Sequence, residues 1–239
     1  MRFPGGLDEA VARTLEGRQQ GLATRSAALS EAYRKGQRSD GVDLGAYLAA
    51  RLPATFAVNA RVLAELAELR PAFAPASVVD VGAGPGTAGW AALAQWPSIR
   101  SVAQVEASAT FVHLLQTLNA ASGLPALETA EVREEALAQW AASLHDLVLA
   151  SYVLAEMPLA AMADAVRKLW AATAGALVLI EPGTPEGFKR ILAARQALLG
   201  QGAVVVAPCT HASACPMAGT DWCHFKQRVQ RSRAHMHAK

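Results

Sequence analysis

Residues 79–87 read Val-Asp-Val-Gly-Ala-Gly-Pro-Gly-Thr, which places glycine at positions 82, 84 and 86 directly after a short apolar run. Glycine tolerates positive φ and lets the backbone approach a ligand closely, so this spacing predicts a ligand-binding turn between a strand and a helix. The run differs from the dinucleotide fingerprint G-x-G-x-x-G, because Thr87 stands where the third glycine would be. No Gly-Lys-Ser/Thr follows, which excludes a phosphate-binding P-loop.

Downstream of residue 76, short apolar runs alternate with longer amphipathic stretches, a pattern that predicts βα units and a parallel sheet. Strands are predicted at 77–82, 101–106, 146–151, 176–181 and 203–207, with a weaker one at 127–132. Helices are predicted at 87–95, 109–121, 159–172 and 186–199. We therefore predict a helical region at 1–75, a Rossmann-like domain at 76–207 and a third segment at 208–239.

The bulk composition limits the classes of function. With 239 residues and 52% hydrophobic content, the chain can bury one sizeable core. The formal net charge of +2 is too small to mark the whole chain as a nucleic-acid binder. No apolar run resembles a signal peptide or a membrane span. We expect a soluble, cytoplasmic protein without a membrane partner, and the sequence leaves the oligomeric state open.

Glu106 ends the second predicted strand, where a carboxylate can accept hydrogen bonds from both ribose hydroxyls. Together with the glycine loop it resembles the D-x-G-x-G-x-G motif of class I S-adenosylmethionine-dependent methyltransferases, over about 77–181. The resemblance implies a Rossmann-like α/β fold that binds S-adenosylmethionine. The cofactor-binding residues that it implies are Asp80, Gly82, Gly84, Gly86, Thr87, Glu106 and Ser151.

The methyl-transfer position of such a fold lies beyond the carboxyl ends of the strands, close to Ser151, Tyr152 and Glu156. Glu156 could orient a substrate, or it could be a solvated residue before the helix that Pro158 opens, and we favour the second interpretation. No Asn/Asp-Pro-Pro-Tyr/Phe follows the strand at 146–151, so the signature of base-amino methylation is missing. No catalytic residue is identified from the sequence.

All the cysteines, Cys209, Cys215 and Cys223, lie near the end of the sequence, separated by five and then seven residues. An odd, clustered set in a cytosolic chain suggests a metal rather than disulfides, and three ordinary reduced thiols are the alternative. The spacing is wider than the C-x₂₋₄-C of zinc fingers. Thiolates select zinc or iron–sulfur clusters, and either site needs a fourth ligand.

The pattern P-C-x-H-x₃-C-P at 208–216, D-W-C-H-F at 221–225 and R-V-x-R-S-x-x-H at 228–235 resembles the methyltransferase-like small ribosomal subunit assembly family, which has bacterial and mitochondrial members. The resemblance implies a 4Fe-4S cluster, with Cys209, Cys215 and Cys223 as the first three of four ligands. The sequence contains no fourth cysteine, so either the sequence is shortened, or His211, His224 or an external ligand substitutes. Zinc is the alternative metal.

The resemblance also implies the partner, which is the small ribosomal subunit or its ribosomal RNA. A basic tail that could neutralise RNA phosphates contains Lys226, Arg228, Arg231, Arg233 and Lys239. The first hypothesis is a methyltransferase-like protein acting in small-subunit assembly and translation. The second is a non-catalytic, iron–sulfur, RNA-binding assembly factor, and the third is a small-molecule methyltransferase with a zinc knuckle.

Overall fold

The computed structural model describes residues 3–18, 20–34, 41–219, 221–229 and 236. The strands are β1 (Ser77–Val81), β2 (Ser101–Glu106), β3 (Glu131–Glu134), β4 (His145–Ser151) and β5 (Thr173–Ile180). The helices are α1 (Leu7–Leu15), α2 (Leu22–Arg34), α3 (Leu44–Ala46), α4 (Leu52–Leu69), α5 (Thr87–Gln95), α6 (Ala109–Ala120), α7 (Pro125–Glu128), α8 (Met162–Ala171) and α9 (Pro185–Leu199). A π-helical turn, Tyr47–Arg51, joins α3 to α4, and 3₁₀ turns cover Leu154–Glu156 and Leu159–Ala161.

The strands form one parallel sheet in the order β3-β2-β1-β4-β5. The chain moves outward from β1 to β2 and β3, then returns to the other side of β1 and continues to β4 and β5. Strand order therefore reverses between β1 and β4, and in open α/β sheets the crevice at such a reversal binds ligands at the carboxyl ends of the strands. The Rossmann-like sheet predicted from the sequence is confirmed.

The central strands are buried along almost their whole length because helices cover both faces of the sheet. In β1, every residue after Ser77 is buried, including the carboxyl-bearing Asp80. In β2, all residues after Ser101 are buried. The boundaries predicted for β2 and α5 agree with the structure, and those of β1, β4, α6 and α9 differ by one residue at one end.

The helices before β1 share a hydrophobic core with the sheet. Leu52, Phe56 and Leu63 of α4 belong to the same buried cluster as Val78 of β1 and Trp90 of α5. Phe3 adds aromatic contacts, with its ring centroid 5.0 Å from that of Phe56 and 5.7 Å from that of Trp90. The N-terminal segment therefore covers one face of the sheet next to the glycine loop.

The strand predicted at 127–132 is wrong in its first half. Pro125 starts the short helix α7, because proline at a first helical position has its φ already set. Leu127 is buried within that helix, and the strand begins only at Glu131. The apolar side chain of Leu127 therefore indicated burial correctly, in a different backbone conformation.

The strand predicted at 203–207 is also wrong, since these residues form neither helix nor strand. The amide of Ala203 donates to the carbonyl of Leu198 at 3.1 Å and so continues the turn that ends α9. Val204 is 83% exposed, whereas Val206 packs against the core. Valine-rich composition favours a strand only where a neighbouring strand supplies hydrogen bonds, and none pairs here.

None of the helices in the described part of the chain is long and apolar enough to cross a bilayer.

Candidate cofactor-binding site

The glycine loop joins the central strand β1 to helix α5. Gly82, Gly84 and Gly86 all have positive φ, at 70°, 53° and 93°. The amides of Gly82 and Ala83 both donate to the carbonyl of Val105 in β2, at 2.7 and 3.0 Å. Backbone hydrogen bonds to the neighbouring strand therefore hold the loop in place without any ligand.

The three glycines meet different surroundings. A Cβ added to Gly86 would lie 2.7 Å from Leu115 Cδ1 and 2.9 Å from Trp90 Nε1, and one added to Gly82 would clash with Val153 Cγ2. A Cβ on Gly84 would meet only the hydroxyl of Tyr47, at 3.7 Å. Gly82 and Gly86 are thus needed for packing within the protein, while Gly84 has room beside its backbone for a ligand.

Glu106 is 8% exposed, and its carboxylate accepts two backbone hydrogen bonds. Oε2 accepts from the amide of Gly84 at 2.7 Å, and Oε1 accepts from the amide of Ser108 at 2.8 Å. Each carboxylate oxygen has a further lone pair, so the group can also accept hydroxyl protons from a ligand. The two motifs found separately in the sequence are therefore in direct contact.

Asp80 and Thr87 lie inside the fold, at 1% and 2% exposure. The Oδ2 of Asp80 accepts from the amide of Gly89 at 2.9 Å, which ties the first turn of α5 to β1. Burial raises the pKa of Asp80 to about 7, opposed by the Gly89 hydrogen bond and assisted by the nearby Glu106 carboxylate. In this geometry the Asp80 side chain supports the loop from within the protein.

Two further residues at this site come from the N-terminal helices. Tyr47, the first residue of the π-helical turn, places its hydroxyl beside Gly84, and its ring packs edge-on against Phe111 with centroids 5.0 Å apart. The Nδ2 of Asn59 donates to Ser151 Oγ at 3.1 Å, at the end of β4. Sequence reasoning missed both residues, because helical periodicity does not reveal which edge of the sheet a helix crosses. π-helical turns recur at functional sites, although this one has no signature in the sequence.

Tyr152 follows β4 with φ at 64°, the single non-glycine residue with positive φ among those described. Its amide donates to the carbonyl of Ile180 at 2.7 Å, which fixes this conformation against β5. Burial raises the pKa of Tyr152, the Glu181 carboxylate adds to the rise, and Arg51 opposes it. Strained backbone of this kind concentrates at functional sites.

Glu181, directly after β5, is a third residue that the sequence did not indicate. Its Oε1 accepts from the amide of Leu154 at 2.7 Å, and burial raises its pKa to about 7. From α9, Arg190 Nη1 donates to the carbonyls of Leu154 and Met157, at 2.5 and 2.9 Å. The two side chains hold the loop after β4, while Glu156 in that loop is exposed.

The cysteine segment, defined as residues 207–219 and 221–229, forms no helix or strand. Cys209, Cys215 and Cys223 are each partly exposed. Burial raises the pKa of Cys223, and the Cys209 and Cys215 thiols add to the rise, so each of those two thiols lies within electrostatic range of Cys223. Within the described residues, however, no group of three or more His, Cys, Asp or Glu side chains could hold a metal ion.

The two histidines proposed as substitute metal ligands, and the described cations of the basic tail, are exposed. His224 stacks on Trp222 with ring centroids 5.6 Å apart, and His211 is exposed. Of the tail, Lys226 and Arg228 are exposed. The remaining predicted phosphate-binding residues, Arg231, Arg233 and Lys239, lie outside the described residues.

This strand order, with a glycine loop after the central strand and a carboxylate at the end of the next one, is that of a Rossmann-like α/β domain, and class I methyltransferases share it. Residues 42–239 match the family model described as mitochondrial small ribosomal subunit Rsm22, and the chain belongs to the Rsm22 family. The family resemblance drawn from the cysteine pattern is thereby confirmed.

Two groups of relatives are similar in sequence. The human mitochondrial ribosome assembly protein METTL17 is 32% identical over 195 residues, which cover 76% of this chain and 42% of the human protein. Two Rsm22-cox11 tandem proteins of Schizosaccharomyces pombe, both mitochondrial, are 31% identical over 170 residues, which cover 63% of this chain and 23% of each relative. The chain thus spans less than half the length of these relatives.

Solved structures with a similar fold include the plantazolicin methyltransferase BpumL in complex with SAH, with a TM-score of 0.48 and 15% identity over 77% of this chain and 66% of that one. A putative RNA methyltransferase from Pyrococcus horikoshii has a TM-score of 0.43 and 20% identity, over 57% of this chain and 65% of that one. At these values the similarity concerns the fold alone.

Proposed function

We propose that this chain binds S-adenosylmethionine in its glycine loop and acts as a methyltransferase-like protein in assembly of the small ribosomal subunit. The observation that carries the first part is the joint geometry of Gly84 and Glu106. The loop leaves room beside one glycine and places a buried carboxylate 2.7 Å from that glycine's amide. The second part rests on membership of the Rsm22 family and on the name of the human relative as a ribosome assembly protein.

The residues present fit this cofactor. Gly84 would allow the backbone to approach it, Glu106 would accept the ribose hydroxyls, and Tyr47 would close the side of the site next to Gly84. When bound, S-adenosylmethionine supplies an activated methyl group. The chain's own contribution to transfer would be positioning of the acceptor at the carboxyl end of β4, near Ser151 and Tyr152.

The second candidate function is that of a non-catalytic scaffold, which binds S-adenosylmethionine but transfers no methyl group. This function is favoured by the polar side chains at the ends of β4 and β5, which are hydrogen-bonded within the protein. Ser151 Oγ is hydrogen-bonded to Asn59, and Glu181 accepts the amide of Leu154. Both groups thus take part in hydrogen bonds within the protein.

The 4Fe-4S cluster remains a prediction from the family resemblance. The thiols of Cys209, Cys215 and Cys223 do not form a metal site in the described part of the chain. No step of the proposed function depends on a cluster or on the alternative zinc ion. Metal analysis and visible absorption spectra of anaerobically purified protein distinguish these possibilities. A cluster contains iron and absorbs broadly in the visible range, whereas a zinc site does neither.

Contact with ribosomal RNA is the proposed mode of association with the subunit. It is supported by the exposed cations Lys226 and Arg228 in the cysteine segment. The compartment stays a prediction: the sequence suggested the cytoplasm, whereas the human and Schizosaccharomyces pombe relatives are mitochondrial. Co-sedimentation with small-subunit precursors at low salt tests the association, and a chain that fails to co-sediment contradicts it.

Calorimetric titration with S-adenosylmethionine tests the cofactor site. We expect Gly84→Arg to abolish binding, because the new side chain would occupy the room beside the loop. The matched control is Gly123→Arg, since Gly123 also has positive φ, at 65°, and nothing within 4 Å of an added Cβ. Equal loss of binding in both variants, or no binding by the unaltered chain, contradicts the proposal.

Transfer of a tritiated methyl group to small-subunit precursors then separates the two candidate functions. Label that appears on RNA or protein with the unaltered chain, and not with Gly84→Arg, establishes the enzyme. Cofactor binding and co-sedimentation without any label establish the scaffold.

A further inference from the structure

The cysteine segment folds back onto the loop between β5 and α9. The indole Nε1 of Trp222 donates to the carbonyl of Gly183 at 3.2 Å. His224 packs against the same glycine, since a Cβ added to Gly183 would lie 3.1 Å from His224 Cβ. Because Gly183 comes two residues after Glu181, this contact places the segment at the carboxyl edge of the sheet, the edge that also carries the cofactor loop.

A cavity of about 280 Å³ lies between this segment and α9. Its apolar wall consists of Pro185, Phe188, Leu192 and the indole of Trp222, and Lys189 and Asp221 also line it. The volume is just below the range of about 300–1,000 Å³ that is usual for ligand pockets. It therefore suits one planar group better than a large ligand, and two aromatic side chains are available for stacking.

The charges around the cavity favour an anionic polymer as the source of that planar group. Lys189 lines the cavity, and the exposed Lys226 and Arg228 follow Trp222 within six residues. Asp221 is the acidic residue of the lining, and its carboxylate can accept from the amino groups of a base. Aromatic faces combined with cations that neutralise phosphates are the usual means of binding single-stranded nucleic acid.

We infer that this cavity binds an unpaired base of single-stranded RNA, stacked on Trp222, with Lys189 contacting the adjoining phosphate. The inference rests on the proposed function, for which it names a specific contact with the RNA. Its location adds a consequence: RNA held at Gly183 would be anchored on the same edge of the sheet as the methyl-transfer position.

The test is fluorescence-anisotropy titration of the full chain with a short unpaired RNA oligonucleotide and with an abasic oligonucleotide of the same length. We expect Trp222→Ala to weaken binding of the RNA about 5- to 150-fold, the usual contribution of one stacked base. Binding of the abasic oligonucleotide should not change. Trp222→Phe should restore most of the affinity, because it keeps an aromatic face.

Phe225→Ala is the matched control, since Phe225 is 75% exposed in the same segment and does not line the cavity. Lys189→Gln should weaken both oligonucleotides alike and reduce the salt dependence by about one phosphate contact. Circular dichroism and S-adenosylmethionine affinity equal to those of the unaltered chain show that each variant is folded.

Unchanged RNA affinity in Trp222→Ala, or an equal loss in Phe225→Ala, overturns the inference. So does a Trp222→Ala variant that loses co-sedimentation with small subunits while its RNA affinity is unchanged, because this face would then contact a protein. Each of these outcomes would contradict the binding of a base at Trp222 and would leave the proposed function untouched. Failure of the proposed function would instead appear in the unaltered chain, as absent cofactor binding or absent co-sedimentation.

Discussion

The glycine loop and the cysteine segment are the two regions with a recognisable sequence pattern, and they differ in how closely they are bonded to the rest of the protein. The loop is built into the sheet, with amides bonded to Val105 and with Glu106 joined to Gly84 at 2.7 Å. The cysteine segment has partly exposed thiols and no metal-binding arrangement among the described residues. The backbone of the loop is thus ordered by hydrogen bonds within the protein, whereas the cysteine segment forms neither helix nor strand among the described residues.

Of the changes that test this comparison, substitution of Gly86 should have the largest effect, and it should lower the free energy of unfolding. Gly86→Ala introduces a Cβ at φ 93° and 2.7 Å from Leu115 Cδ1, so we expect a loss of about 3 kcal/mol or more in the free energy of unfolding. Chemical denaturation measures it. The control Gly123→Ala carries a similar φ without the crowding and should lose only about 1 kcal/mol. Equal losses would mean that packing around Gly86 contributes nothing.

The next largest effect is a dependence of stability on pH. Burial raises the pKa of Asp80 and of Glu181 to about 7, so the folded state favours their protonated forms. Their contribution is complete below the unfolded pKa near 4 and is lost as pH rises through about 7. We expect Asp80→Asn to remove part of this decline, on the order of 2–4 kcal/mol, in denaturation series from pH 5 to 8.

Asp146→Asn is the control for that series. The amide of Ala76 donates to Asp146 and, despite an opposing contribution from burial, lowers the pKa of its carboxyl, so its contribution has the opposite sign and is lost as pH falls. This variant should keep the decline towards pH 8. A decline that persists unchanged in Asp80→Asn would contradict the assignment to Asp80.

A smaller effect is expected at Glu106, where the change should appear in cofactor affinity. Glu106→Gln removes a charge that holds the amides of Gly84 and Ser108, so the affinity for S-adenosylmethionine should fall about 10- to 100-fold. Isothermal titration measures it. Glu134→Gln is the matched control, because Glu134 stands opposite Glu106 in the parallel pair of β2 and β3 and is exposed. A comparable loss in both variants would place the ribose contact elsewhere.

The smallest effect should follow changes in the cysteine segment. Removal of any bound metal by a chelator, or Cys209→Ser, should leave S-adenosylmethionine affinity within about twofold, because sites without shared contacts behave additively. The same variant should lose whatever iron or zinc the unaltered chain carries, which elemental analysis measures. A large drop in cofactor affinity would show that the two regions are coupled.

Most of the sheet could be predicted because its signals are local. The run at β1 and the glycines after it predicted the loop, and the position of Glu106 at the end of β2 was predicted too, although its hydrogen bond to Gly84 was not. The prediction at 203–207 was wrong because a strand needs a neighbour, which a single run of valines cannot specify. Tyr47 and Glu181 were missed for a related reason, since they reach the site through contacts distant in the sequence.

By itself, the sequence determined the parallel α/β class, the position of the glycine loop and, through its cysteine pattern, the family. These depend on residue type and spacing within short windows, where periodicity and the conformational freedom of glycine act directly. Tertiary structure alone decided which glycine has room for a ligand, which carboxylates are buried, and that Trp222 rests on Gly183. Such properties arise from packing between segments far apart in the chain, and packing is set by the whole fold.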